Sequence, residues 1–193
     1  MDTMHRRLAP SILALALVAA AGRGAGAQDP PAANPDAAAL ADFQERVQAY
    51  AALHDKLERT LAPIPPNPTP EQVSDHQRAL ERLLLRARAG AKHGDIFTDS
   101  IRAYFRRQIA RVIEGSDGAA VRQALLDEDT RGVRFAVNAR YPANVPRSTV
   151  PPQILLVLPR LPEEVEYRFV GERLVLLDVH ANTVVDFIDR ALS

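Results

Sequence analysis

The spacing of apolar residues predicts a helix near the start of the chain. Apolar side chains recur there at steps of three and four, apart from one position that His54 fills. They are Leu40, Phe43, Val47, Tyr50, Leu57 and Leu61. This spacing is typical of a helix that packs one side against another helix. Asn34 and Pro35 predict its beginning, because asparagine caps helix N-termini and proline is tolerated at the first helical position.

Three further helices are predicted before the pattern changes. Six residues, Pro63 to Pro68, include four prolines and end the first helix, because proline fixes φ and removes a backbone donor. Thr69 and Gln72 form a capping box that begins the second helix, which runs to about residue 91. Asp95 is the predicted cap of the third helix, and residues 119–126 form the fourth.

From Val133 the period changes to that of a strand. Apolar and polar residues alternate over 133–138, and three more short strands are predicted between Val165 and Ile188. The fold class is therefore α+β. We expect an N-terminal antiparallel helical bundle over 34–128. A C-terminal β unit over 129–193, a small antiparallel three-stranded meander, packs on the helices.

Residues 1–27 have the pattern of a signal peptide. Arg6 and Arg7 precede an apolar run from Leu8 to Ala21, and Ala25 and Ala27 fit the small-residue cleavage site. Residues 28–33 are predicted to be a disordered linker, because alanine and proline there offer little to bury. We therefore expect a periplasmic or secreted protein with no membrane span after cleavage.

Composition excludes several function classes. The chain has no cysteine, which excludes disulfides, thiol catalysis and cysteine-ligated metals. Its formal net charge is zero, which argues against a nucleic-acid partner. Residues 78–111 carry nine Lys and Arg residues against three acidic ones. This basic region either neutralises acidic neighbours within the fold or contacts an anionic envelope component.

His54 and His76 are the first candidate functional residues. Both occupy apolar seams, and both lie ~10 Å from the proline-rich turn at 1.5 Å of rise per helical residue. We therefore expect them to lie close together across the hairpin. Two such imidazoles would repel when both are charged, which would make them a pH-sensitive pair with lowered folded-state pKa values. The alternative is that each ring simply packs as a core residue.

A row of carboxylates in the meander is the second candidate. If three-residue loops join the strands, the apolar residues share one face, and Glu166, Asp178 and Asp186 line up on the other with His180 one step away. Carboxylate oxygens suit hard divalent cations, so this row predicts a weak metal site. The alternative is a solvated face whose charge Arg168 offsets. No other cofactor is expected.

No catalytic motif is present. Ser74, Asp75 and His76 are the residue types of a catalytic triad, but neighbours on a helix do not face one another. Phosphate-binding loops, the HExxH motif and glycosidase carboxylate pairs are absent. The sequence therefore predicts a protein that is not an enzyme.

The C-terminal part of the chain resembles a known family. The residues concerned run from Leu161 to Gly171, Leu174 to Asp178 and Val184 to Ile188. They are similar to the C-terminal module of the periplasmic nickel/cobalt-homeostasis proteins and to the tails of uncharacterised secreted bacterial proteins. The resemblance implies a small periplasmic β unit. This chain has Asn182 and Thr183 where a glycine often closes the last turn in those proteins.

These observations favour a non-catalytic envelope or secreted protein whose C-terminal β unit binds or docks an unknown protein or envelope partner. One alternative is an accessory in periplasmic divalent-metal response. A second is a chaperone-like helical protein that uses its basic helical surface.

Overall fold

The computed structural model describes residues 34–126, 133–146 and 150–193. The predicted signal peptide and linker lie outside the described residues. Five helices and three strands are formed in the described parts of the chain. They are α1 (Pro35–Glu58), α2 (Pro70–Ala87), α3 (Asp99–Ile113), α4 (Gly118–Leu126), α5 (Pro152–Leu155), β1 (Val165–Val170), β2 (Arg173–Asp178) and β3 (Thr183–Ile188). The strands form an antiparallel sheet in the order β1-β2-β3, so the predicted α+β fold with an N-terminal helical part is confirmed.

Two of the three predicted helix caps are confirmed. The Asn34 side chain accepts a hydrogen bond at the start of α1. Thr69 and Gln72 form the reciprocal capping box of α2. The prediction for α3 was wrong, because this helix begins at Asp99 after Thr98. Asp95 instead accepts a hydrogen bond from the backbone of Lys92, so its carboxylate closes the turn before the helix.

The predicted register of the meander was wrong. Val170 pairs with Arg173, so the first turn contains only two residues, with Gly171 at φ 57°. The pairing of Leu176 with Asp186 is followed by a β-bulge in the second hairpin. The predicted three-residue turns keep charged residues off the apolar face of the sheet, whereas two-residue turns place them on it. The protein does place them there and satisfies them with hydrogen bonds from the helices and loops.

The predicted strand over 133–138 does not form. The residues at its end and just beyond it instead contact β3 and the turn before it through a few backbone hydrogen bonds, from Asn138 to Val184, from Val184 to Ala139 and from Tyr141 to Asn182. Asn138, the last residue of that segment, adopts a left-handed conformation with φ 64°, which prevents a strand from continuing through it.

Both faces of the sheet are covered by apolar side chains. Val165, Tyr167 and Leu176 belong to a core shared with the helices. Val175 and Leu177 belong to a second cluster with residues from 133–145. The helical core includes Phe43, Phe97 and Phe105, whose ring centroids lie 5.2–5.7 Å apart. Tyr50 and His54, in the C-terminal half of α1, contact Asp178 at the end of β2, where the candidate site lies.

Candidate metal site

The structure does not bring the predicted carboxylate row together. Glu166 pairs with Leu177 in the sheet and therefore lies on the face opposite to that of Asp178 and Asp186. Its carboxylate forms an ion pair with Arg168 at 2.6 Å. A cation held jointly by Glu166, Asp178 and Asp186 is therefore ruled out by the register, because strand faces alternate.

Asp186 has a different role. Its buried carboxylate accepts hydrogen bonds from the backbone N–H groups of Gly94, Ile96, Phe97 and Phe187 at 2.8–3.2 Å. These donors belong to the loop before α3 and to β3 itself. A buried carboxylate with several N–H donors is well satisfied without a cation. Asp186 thus fixes the loop before α3 to the sheet.

Asp178 joins α1 to the end of β2. Its carboxylate is fully buried and accepts hydrogen bonds from the Tyr50 hydroxyl at 2.6 Å and from the backbone N–H of Ala181 at 2.7 Å. His54 Nδ1 lies 2.6 Å from the same oxygen that Tyr50 contacts. Burial, together with the charge of Asp178 and its hydrogen bond, raises the pKa of Tyr50 well above its usual value. Tyr50 therefore remains a hydrogen-bond donor.

His54 has a carboxylate on each side of its ring. Nδ1 faces Asp178, and Nε2 lies 3.2 Å from Glu58 Oε2. Burial of the ring disfavours the imidazolium, but the hydrogen bond and charge of Asp178, followed by those of Glu58, outweigh it and raise the pKa of His54. The lowered pKa predicted for His54 was therefore wrong in direction, because carboxylates and not a second imidazole dominate its surroundings.

Glu58 is at the centre of three histidines. Its Oε1 lies 3.2 Å from His76 Nε2, and its Oε2 lies 3.2 Å from His54 Nε2 and 3.4 Å from His180 Nδ1. Partial burial acts to raise the pKa of Glu58, but the hydrogen bond from His76 and the charges of His180 and His54 lower it. His54 and His76 therefore meet through Glu58.

Three of these groups have the arrangement of metal ligands. The ligating atoms of His54, Glu58 and His180 all lie within 4.8 Å of one another. A tetrahedral shell with metal–nitrogen bonds of 2.0–2.1 Å separates its ligand atoms by about 3.3 Å. The contacts from His54 and His180 to Glu58, at 3.2 and 3.4 Å, already match that separation. The third separation, between the two imidazole nitrogens, is at most 4.8 Å, so the three groups can supply three positions of such a shell.

Local structure explains why these side chains converge. His54 and Glu58 are four residues apart on α1, so both project from one side of the helix. His180 lies in the turn that follows β2, two residues after the buried Asp178. Asn182, in the same turn, adopts φ 53°, a left-handed conformation that asparagine tolerates better than most residues.

Glu58 was missed by the sequence-based search, although a signal was present. A histidine and a glutamate four residues apart on a helix form one of the simplest metal-ligand pairs. Of the predicted metal residues Glu166, Asp178, His180 and Asp186, only His180 belongs to the cluster. Asp178 contacts the cluster through His54. The contact of α1 with the β2–β3 turn depends on tertiary packing, which local patterns did not reveal.

A groove of ≈ 540 Å³ opens beside Glu58 at the end of the α1–α2 hairpin. Its walls are formed by Asp55, Glu58, Arg59, Leu61, Pro63, Ile64 and His76. Solvent exposure of the side chains increases across the cluster. It is 0% for His54, 29% for Glu58 and 46% for His180. The cluster is therefore closed by the core on one side and accessible to solvent on the other.

Comparison with known proteins gives no relative for this chain. No family model, curated protein or solved structure matches it. Among residues 34–126, 133–146 and 150–193, no helix has the length and hydropathy required to span a membrane.

Proposed function

We propose that this protein binds a divalent transition-metal ion through His54 Nε2, Glu58 and His180 Nδ1. The observation that carries the proposal is the convergence of two imidazoles on one carboxylate at metal-ligand separations. The three ligands come from α1 and from the β2–β3 turn, more than a hundred residues away along the chain. An ion bound there would fasten the helical part to the sheet.

The surroundings of the ligands support this proposal. Metal-binding histidines usually donate their second ring N–H to a carboxylate or carbonyl, which fixes the tautomer and the ring orientation. Asp178 has that relationship to His54, because it faces Nδ1 at 2.6 Å and leaves Nε2 for the ion. His76 contacts the Glu58 oxygen opposite to the one that faces His54, so it orients the carboxylate from outside the ligand set.

The donor set favours particular metals. Two imidazoles and one carboxylate suit first-row ions such as Zn²⁺, Co²⁺ and Ni²⁺. Ca²⁺ and Mg²⁺ prefer oxygen ligands and are poorly matched by two nitrogen donors. This choice differs from the hard cation predicted from the carboxylate row. The proposal agrees with the predicted alternative of an accessory in periplasmic divalent-metal response, but it assigns the metal to different residues.

The other predicted functions have less support. Apolar clusters cover both faces of the meander, which leaves little sheet surface for docking a partner. Several arginines of the basic region contact other parts of the fold, among them Arg88 with Asn138 and Arg106 with Asp189. A metal site is better supported than a docking sheet or a chaperone surface. We retain export from the cytoplasm as part of the proposal.

Thermal unfolding of the full chain tests the proposal. An ion that binds only the folded protein stabilises it by about 2.7 kcal/mol at a hundredfold excess over Kd. Zn²⁺, Co²⁺ or Ni²⁺ should raise the Tm of the parent, and Ca²⁺ or Mg²⁺ should not. His180→Gln should abolish the rise. His93→Gln is the matched control, because His93 contacts the Phe187 carbonyl away from the cluster. Equal responses in both variants would refute the assignment.

A further inference from the structure

The two edges of the sheet differ in what lies beside them. Along β3, residues 138–141 form backbone hydrogen bonds, and Arg140 forms an isolated bridge with Thr183. β1 is the other edge, because the strand order is β1-β2-β3. Among residues 34–126, 133–146 and 150–193, no segment forms a bridge with the outer side of β1. β1 is therefore the edge at which the described sheet can accept another strand.

The register of the first hairpin decides which backbone groups of β1 face outward. Val170 and Arg173 flank a two-residue turn, so they exchange hydrogen bonds, and every second residue of β1 does the same with β2. The bond from the Val179 N–H to the Glu164 carbonyl continues this series. The N–H and C=O of Tyr167 therefore point away from β2. Within the described part of the chain, neither group has a hydrogen-bond partner.

A groove of ≈ 480 Å³ follows this edge. It is lined by Val165, Glu166, Tyr167 and Arg168, four consecutive residues whose side chains alternate between the two faces of the sheet. A single groove touches all four because it runs along the backbone edge of the strand. Its second wall includes Leu155, Arg160 and Leu161. The volume is within the range of about 300–1,000 Å³ that is usual for ligand pockets.

The side chains beside the groove indicate what an added strand carries. Val165 and Tyr167 belong to the core shared with the helices, and Leu161 packs against it, so apolar side chains fit on this side. Glu166 and Arg168 lie on the opposite face and pair with each other at 2.6 Å. Opposite charges directly across two strands stabilise their pairing, and like charges destabilise it. An acidic residue is therefore favoured opposite Arg168 and a basic one opposite Glu166.

We propose that β1 binds an extended segment of a partner protein as a fourth, antiparallel strand of the sheet. One apolar residue of the segment exchanges both backbone hydrogen bonds with Tyr167, as in other cases of strand addition. The residue before it is acidic and faces Arg168, and the residue after it is basic and faces Glu166. None of the proposed metal ligands takes part, so this inference is independent of the metal proposal.

A single strand fits this groove better than a second copy of the protein does. The β1 strand itself has the order acidic, apolar, basic in Glu166, Tyr167 and Arg168, so two copies would also match in charge. However, the remaining strands of the second sheet would meet the wall that contains Leu155 and Leu161. An extended segment lies between the two walls.

Fluorescence anisotropy with labelled peptides and the full chain tests the predicted pattern. The probe is Thr-Val-Glu-Val-Lys-Val-Thr with both ends blocked, and its central valine lies opposite Tyr167. The matched control exchanges the glutamate and the lysine, which places like charges opposite Glu166 and Arg168. It should bind about three- to tenfold more weakly than the probe does. A variant with both Glu166→Arg and Arg168→Glu should invert this preference.

N-methylation of the probe tests the backbone contact. Methylation of the central valine removes the N–H that donates to the Tyr167 carbonyl, so affinity should decrease about three- to tenfold. Methylation of the lysine is the matched control, because the N–H of that residue points away from β1. It should leave the affinity unchanged.

Amide hydrogen exchange identifies the place where the probe binds. In the peptide-free protein, the Tyr167 N–H should exchange quickly, whereas the N–H of Arg168, which pairs with Val175 in β2, should exchange slowly. The probe should slow exchange at Tyr167.

Several results would overturn the proposal. One is a Tyr167 amide that is protected before any peptide is added, because the edge would then be covered already. Another is protection that increases with protein concentration and accompanies a dimer, which would make a second copy the occupant. Equal binding of the probe and its charge-exchanged control, equal binding of the two methylated probes, or no binding at all would also contradict it.

Discussion

His54 Nδ1 lies 2.6 Å from Oδ2 of Asp178, a residue that is 124 positions later in the chain. Both side chains are fully buried. A buried imidazole and carboxylate at this distance form a charge-assisted hydrogen bond that joins α1 to the sheet. The same contact directs His54 Nε2 toward Glu58 and His180. One hydrogen bond therefore joins two parts of the fold and orients a residue that we propose as a metal ligand.

The first prediction concerns Asp178. Asp178→Asn keeps the size of the side chain but removes the negative charge beside His54, so both stability and metal affinity should decrease. Loss of such an outer-shell partner typically weakens metal binding by about 10–100-fold. Zinc affinity measured by competition with a chromophoric chelator checks the prediction.

Asp186→Asn is the control for that variant. Asp186 is equally buried in the same sheet, but its hydrogen bonds are to the backbone before α3. This variant should lose stability as well, because an amide cannot satisfy all of those N–H donors. Its folded fraction should bind zinc as tightly as the parent does. Equal loss of affinity in both variants would mean that Asp178 acts only through stability.

The second prediction concerns the metal-free protein and pH. The raised pKa of His54 means that its contribution to the free energy of unfolding is complete below the unfolded value of 6.5 and is lost as pH rises through the folded value. The lowered pKa of Glu58 means that its contribution is present above 4.5 and is lost as pH falls through the folded value.

NMR titration of the histidine ring protons in EDTA measures the first of these shifts directly. Asp178, Glu58 and His180 face His54, and Tyr50 donates to the same Asp178 oxygen. The two carboxylates favour the charged form of His54. A His54 midpoint below 6.5 would contradict the prediction and would mean that burial of the ring outweighs the two carboxylates.

The third prediction concerns Tyr50. Tyr50→Phe removes the hydroxyl that donates to Asp178 at 2.6 Å and leaves that carboxylate with one donor fewer. A buried group deprived of a partner typically costs about 1–3 kcal/mol of the free energy of unfolding. Urea unfolding measures the loss. Tyr104→Phe, on the partly buried surface of α3, should change stability by less than ~0.5 kcal/mol. If the two variants lose similar free energies of unfolding, the hydrogen bond from the Tyr50 hydroxyl to Asp178 does not stabilise the fold.

The fourth prediction concerns export. We expect the mature protein to begin at Gln28, because Ala25 and Ala27 fit the requirements of signal peptidase. N-terminal sequencing of the protein recovered from the extracytoplasmic fraction checks this. A chain that retains Met1 in that fraction, or that stays in the cytoplasm, would contradict it.

Local patterns predicted the helices well and the sheet register poorly. Asn34, Pro35 and the Thr69 capping box carry strong signals, because the chemistry of a helix start depends on a few adjacent residues. The predicted register rested on the assumption that Asp178 and Asp186 lie outside the apolar face of the sheet. Their burial is stabilised by donors from α1 and from residues 94–97, which neighbouring sequence cannot reveal.

The candidate site was predicted only in fragments. His54 and His76 were singled out because a histidine in an apolar seam is conspicuous, and the hairpin geometry brought them into one region. Their meeting through Glu58 was not foreseen, nor was the approach of His180 from the sheet. The site forms only when α1 packs against the β2–β3 turn, and this contact joins residues that are far apart in the sequence.

Zinc content after equilibrium dialysis tests the central claim most directly. The full-length parent, dialysed against buffered Zn²⁺ and analysed by mass spectrometry, should retain zinc in equimolar amount. Glu58→Gln and His180→Gln, which alter partly exposed ligands, should each remain folded and lose most of that zinc, whereas His93→Gln should retain it. A parent that retains no zinc, or a Glu58→Gln and His180→Gln pair that retains as much as the parent, would contradict the account.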